Sequence, residues 1–426
     1  MLYESWPSMF IEVVLVFILR IGFVLVHIGC VPSSSVNLLV MQHLINMAVS
    51  TLVFFVIGFP IAVGNDNLVV EVSKVMQGSI NVDDLIFNWK IIVVSDAIIS
   101  TTICGKAHMA GGVLMSMLVS GCIQPTIMYF LWRKIRFFNA GGDNLIFYSY
   151  GHTVVMHVFP GAFCLGCILL YGKRVIRISD IDLCSISFNS HSTTIIGYAF
   201  IITSMVIEPT LIAKKNVTTI FVNNILAVTI GVMTTSILNS VFRQNSNFFN
   251  YWQVVCTFQG ALSSLVIISA GLDMMKPYQT LMIAPVGPLL HFIYSKLIFC
   301  TIFEDYCKIV GIHGICAAIG AYLSCIQFEP KLQEDSTLDR LMRRSIITTI
   351  IFFCGFIIAL VIQLILKYTN LLRNNTEKLI HMKAPKGNKN KCPYILPNKN
   401  KQLIEPQVHI LHTLKNQLFN EKANLF

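Results

Sequence analysis

The sequence predicts an all-α polytopic membrane protein with eleven transmembrane helices, and three observations carry that prediction. Of the 426 residues, 55% are apolar and 12% are charged, about half the charge of a soluble domain. The mean hydropathy is +0.69, which excludes intrinsic disorder and a soluble globular fold alike. The apolar residues fall in runs of about 20, the length a helix needs to cross the hydrocarbon core. The runs do not alternate as barrel strands do. Backbone amides cannot face lipid unpaired, so such runs must be helical.

Each span has its own signature. The first, 9–31, rests on the run Phe10–Cys30. It is too long for the apolar core of a secretory signal and has no basic leader. Glu12 and Arg20 lie eight apart on one face of it, and an arginine that deep calls for an internal partner. The second, 41–64, is a long apolar run, whereas the third, 86–106, carries Lys90 and Asp96. The fourth, 108–132, holds Gln124-Pro125, and the fifth, 148–172, holds His152 and His157. The sixth, 193–213, carries Glu208; the seventh, 217–242, and eighth, 252–272, carry no charge. The ninth, 279–300, holds His291 and Lys296, the tenth, 306–326, holds His313, and the eleventh is 344–366. The longer connections, 65–85, 133–147, 173–192 and 327–343, are all too short to form a domain.

The formal charge of +10 is concentrated at one end. Residues 367–426 hold 11 Lys and Arg against 3 Asp and Glu, while the preceding 366 residues hold 20 against 18. The chain is thus a nearly neutral transmembrane domain, 1–366, followed by a basic tail, 367–426, rich in Asn, Lys and Pro and expected to be disordered. This placement speaks for topology and not for nucleic acid. By the positive-inside rule the C-terminus is expected in the cytoplasm and, with eleven spans, the N-terminus outside. The 13 cysteines are scattered, and Cys164-x-x-Cys167 lacks the second pair that a metal site needs. They read as small buried hydrophobes. No nucleophile elbow, metal-ligand spacing or phosphate loop is present, so neither an enzyme nor a cofactor is expected.

With so little charge in the spans, the ionisable residues that remain carry weight. Lys90 and Lys296 stand near span ends or on long stems, where snorkelling is the plain expectation. Asp96 is mid-span. His157 and His313 are mid-span among small and apolar residues.

Their neighbours bring a resemblance into view. The tenth span reads Glu304-Asp305 followed by His313-Gly314 and Gly320. It resembles the acidic, His-Gly segment of the ammonium transporter/methylammonium permease/Rhesus superfamily. The fifth reads Gly151, then Val154-Val155-Met156-His157 and Gly161, and ends in Tyr171-Gly-Lys-Arg174. It is similar to that family's Val-Val-His segment. The fourth, with Gly121, Pro125 and Trp132, the second, with Asn37, Gly58 and Gly64, and the eighth, from Gly260, resemble the corresponding family segments. The resemblance covers about 1–366 in order. It implies two inverted halves, a homotrimer in the lipid bilayer with one narrow pore per subunit, and ammonium or ammonia as substrate. It places His157 and His313 at the paired histidines of the dry pore, and Trp132 in the outer vestibule.

The resemblance fails around the entrance. The family's fifth-span aspartate is replaced by Ser149, the third-span gate phenylalanine by Ser95 next to Asp96, and the vestibule tyrosine by Gln124. The second gate phenylalanine falls near Glu208. The expected vestibule is therefore Trp132, Gln124, Ser149, Ser95, Asp96 and Glu208. Asp96 and Glu208 are either new carboxylates that draw a cation to the pore or structural partners of Lys90, Arg20 or Lys296. The favoured reading is an ammonium transporter of the plasma membrane. The alternatives are a transport-deficient sensor or modulatory subunit, and a carrier of another small solute.

Overall fold

Each predicted run forms a helix among the described residues. The computed structural model describes residues 2–30, 36–64, 73–78, 82–131, 152–171, 191–213, 216–242, 251–299, 301, 303, 305, 307–324 and 337–373. In chain order the spans are α1 Leu2–Gly29, α2 Val36–Val63, α3 Val82–Ile103, α4 Met109–Tyr129, α5 Val154–Tyr171 and α6 His191–Ile212. They continue with α7 Val217–Val241, α8 Tyr251–Ile268, α9 Pro277–Ile298, α10 Val310–Leu323 and α11 Thr337–Tyr368. Ten are long and apolar enough to cross a membrane, and α10 is shorter. The sequence places the start of α10 at 306. The structure starts it later because the Asp305 carboxylate accepts from the Ile309 and Val310 amides at 2.8 and 2.9 Å, capping the helix.

The packing repeats itself. In the first half α1 and α2 pack on α3, α2 packs on α4, and α3 packs on α5. In the second half α6 and α7 pack on α8, α7 on α9, and α8 on α10. Each half has five helices, an odd number, so the second enters the membrane from the side opposite the first. This is the geometry of inverted repeats. The halves meet where α1 lies along α6 and where α5 crosses α10, while α11 lies over α5 and α10.

That arrangement explains which spans tolerate polar residues. Every residue of α3 from Asn88 to Ile103 is buried. It never meets lipid, so Lys90, Ser95, Asp96 and Ser100 find protein partners. The helices on the outside, α1, α7, α9 and α11, keep apolar side chains exposed (Phe17, Ile237, Leu297, Phe353), as a lipid-facing surface requires.

Among the described residues, four helices contain a π-helical turn: Phe54–Gly58, Val119–Ile123, Val154–Val158 and Val310–Cys316. The first three each end two residues before a proline, Pro60, Pro125 and Pro160. Proline has no N–H, and its ring clashes with the carbonyl four residues back. Widening the preceding turn relieves both problems. The cysteines Cys164 and Cys167 are buried, the first near the Ile98 carbonyl and the second accepting from Gln363 Nε2 at 3.1 Å.

Candidate functional site

His157 and His313 sit in the π turns of α5 and α10, the two helices that cross between the halves. The crossing is close because glycines form it: a Cβ on Gly161 would lie 2.6 Å from the His313 carbonyl carbon and closer still to the Gly314 backbone. The two imidazoles face each other there. Their Nδ1 atoms are 3.1 Å apart, with ring centroids at 5.0 Å and planes inclined by 25°. One Nδ1 must donate and the other accept, so two neutral rings share a single proton along this contact. Phe23 of α1 packs against His313 at 6.0 Å. The Nε2 of His313 is buried and has no hydrogen-bond partner.

Both rings line a cavity of about 60 Å³. Its walls are mostly apolar, with Leu15, Val16, Leu19 and Val94 among them. The polar groups that reach it besides the histidines are Lys90, Ser204, Glu208 and Ser269. The register of α1 orders these groups. Phe23 lines the histidine end, and Glu12, eleven residues earlier or about 16 Å along the axis, does not line the cavity but reaches Lys90, which lines its other end. There Lys90 Nζ lies 2.5 Å from Glu12 Oε1 and 2.6 Å from Glu208 Oε1. It also sits 4.8 Å over the Phe87 ring.

The vestibule residues separate into groups. Glu208 lines the cavity and is bound to Lys90. Asp96 does not line it; its Oδ2 pairs with Arg20 at 2.8 Å and its Oδ1 accepts from Ser116 at 2.8 Å. Arg20 donates in turn to the His43 carbonyl at 3.0 Å, and His43 meets His27 at 3.1 Å. Ser95 and Gln124 are fully buried. The Gln124 amide donates to Ser95 Oγ at 2.6 Å and to the Val155 carbonyl at 3.3 Å. They tie α3 and α4 to the turn that carries His157. Trp132 and Ser149 lie outside the described residues.

Two features escaped sequence reasoning. Lys90 does not snorkel: it is 1% exposed and held by carboxylates from α1 and α6. Glu12 was grouped with Arg20 by spacing, yet Arg20 turns to α3 at Asp96 and Glu12 to α3 at Lys90. The Arg20–Asp96 pair is one of the structural pairings the sequence leaves open; the Glu12–Lys90 pair runs between helices, where spacing within one helix gives no signal.

Comparison with known proteins bears on the family and the fold. The model of the Ammonium Transporter Family matches residues 8–382. "Ammonium transporter Amt2" of Methanocaldococcus jannaschii is 22% identical over 330 residues, covering 74% of this chain and 73% of that protein. Among solved structures, "Sensor Amt Protein" superposes with a TM-score of 0.73 at 18% identity, covering 90% of this chain and 98% of the other. Saccharomyces cerevisiae Mep2 superposes with a TM-score of 0.70 at 14% identity, covering 87% and 89%. At such identities the structural likeness shows the fold.

Proposed function

The chain belongs to the ammonium transporter family, and from that premise we propose that it moves ammonium or ammonia across the membrane through a pore lined by His157 and His313, one pore per subunit. The observation that carries the reading is the buried Nδ1–Nδ1 contact at 3.1 Å beside an apolar cavity. Ammonium is close to potassium in size, so a pore cannot select it by diameter alone. It can select by hydrogen bonding, since ammonia and ammonium donate N–H and potassium does not. The free Nε2 of His313 is such a partner in a place that water and other ions have little reason to enter. A neutral imidazole pair can accept a proton at one nitrogen while releasing one at another, so a relay needs no net buried charge.

In this reading Glu208, with Lys90, forms the mouth of the cavity, and Ser95 and Gln124 position the His157 turn. The reading also holds that the subunits form a homotrimer in the plasma membrane, with the N-terminus outside and the C-terminus cytoplasmic.

Expression in cells lacking their own ammonium uptake tests it. The wild-type chain is expected to restore growth on low ammonium and to take up methylammonium. His157→Ala is expected to lower uptake at least tenfold at equal surface expression. Growth that persists unchanged in His157→Ala, or no growth despite surface expression of the wild type, would overturn the reading.

A further inference from the structure

Resting on the transport reading above, we propose that Glu12, Glu208 and the Phe87 ring form a binding site for a small alkylammonium-like cation at the mouth of the histidine cavity, and that the ammonium group of Lys90 is its tethered occupant. The terminal methylene and ammonium of a lysine are chemically a methylammonium ion. Here that group has the contacts a free one would choose: carboxylate oxygens at 2.5 and 2.6 Å and an aromatic face at 4.8 Å. It is not at the surface, since Lys90 is 1% exposed, whereas the Glu12 and Glu208 side chains are 15% and 21% exposed. The carboxylates are therefore the more exposed members of the cluster, while the ammonium faces inward. Two carboxylates around one lysine leave a net charge of −1, which draws a second cation to the same place.

A second observation points to a ligand. Ser204 lies one turn before Glu208 on α6 and lines the cavity, yet its Oγ is buried without a hydrogen-bond partner. A cation leaving the carboxylates for the histidines passes Ser204. Lys90 thus competes with the transported ion for the mouth and sets how much external ammonium is needed to displace it. It is a specificity-determining residue held in the site by its own chain.

The test uses purified full-length protein in detergent, with melting temperature followed against ammonium chloride and against choline chloride at equal ionic strength. A ligand that binds the folded state raises the melting point in proportion to occupancy. Lys90→Met is expected to reach half of its ammonium-specific shift at a concentration at least tenfold below that of the wild type. The KM for methylammonium uptake is expected to fall by a similar factor. The same ammonium dependence in Lys90→Met and wild type overturns the proposal. Folding of Lys90→Met in ammonium but not in choline supports it. Where it folds in neither, Lys90→Met with Glu12→Gln, which restores the net charge of −1, is held to the same tenfold criterion. Failure of that variant in both salts also overturns the proposal, because Lys90 would then be a structural ion pair alone. The melting readout separates this proposal from transport. A Lys90-dependent shift without wild-type uptake refutes transport alone. His157-dependent uptake with no Lys90 effect refutes the cation site alone.

Discussion

Arg20 and Asp96 are 3% and 5% exposed, and each is the charge that makes the other tolerable. Removing one member of a buried pair leaves the other uncompensated, at a cost of about 3–5 kcal/mol. Asp96→Asn is therefore expected to lower stability by about that amount in a detergent-unfolding titration. Arg20→Met added to it should recover most of the loss. Because Asp96 is absent from the cavity wall, uptake per folded molecule should keep its KM. A raised KM at unchanged stability would return Asp96 to the cation path. The residue scale is also where sequence reasoning divides. The buried acids and bases stand out because lipid tolerates so few of them. Arg20 and Lys90 are among the partners the sequence leaves open to Asp96 and Glu208, but the pairing of Glu12 with Lys90 is not, because the two are 78 positions apart and nothing local links them. His157 and His313, 156 apart, could be paired in advance through the resemblance alone.

At the scale of elements, the crossing of α5 and α10 sets the histidine geometry, and its two glycines are not equivalent. A Cβ on Gly161 would collide with the backbone of His313 and Gly314, and backbone cannot move aside as a side-chain tip can. A Cβ on Gly314 would meet Gly161 no closer than 3.4 Å, an ordinary contact. Gly161→Ala is thus expected to push the helices apart, misplace the imidazoles and lower methylammonium uptake at least tenfold. Gly314→Ala should stay within about twofold. Equal effects of the two would mean that the crossing does not position the pair. The spans were legible because length and apolarity are what the bilayer selects. The π turns were legible only in hindsight, from Pro60, Pro125 and Pro160. The turn around His313 has no proline and instead contains Gly311 and Gly314, so no proline marks it.

At the scale of the whole molecule, the membrane domain closes a few residues beyond the boundary that charge alone suggests. Composition changes at Lys367, yet α11 runs to Tyr368 and ends in a defined cap. Asn370 takes a left-handed φ of 61°, and the Leu371 and Asn370 amides donate to the Leu366 and Lys367 carbonyls at 2.8 and 3.2 Å. This is a Schellman arrangement with asparagine in the usual glycine place. The chain then folds back on the start of α4. The His108 amide donates to the Leu372 carbonyl at 3.3 Å, Arg373 bridges to Ala107, and the Leu371 carbonyl fills the space beside Gly111. The last five described residues therefore clamp α11, and with it α5 beneath, onto the first half of the repeat. A stop codon after Arg373 is expected to leave the melting temperature of the purified protein unchanged and uptake within about twofold. A stop after Tyr368 removes the partner of the His108 amide and the clamp on α4, and should cost about 1–3 kcal/mol together with much of the surface expression. Equal stability of the two truncations would show that α11 is held by its packing on α5 alone. A loss already present in the longer one would place a stabilising contact in residues 374–426.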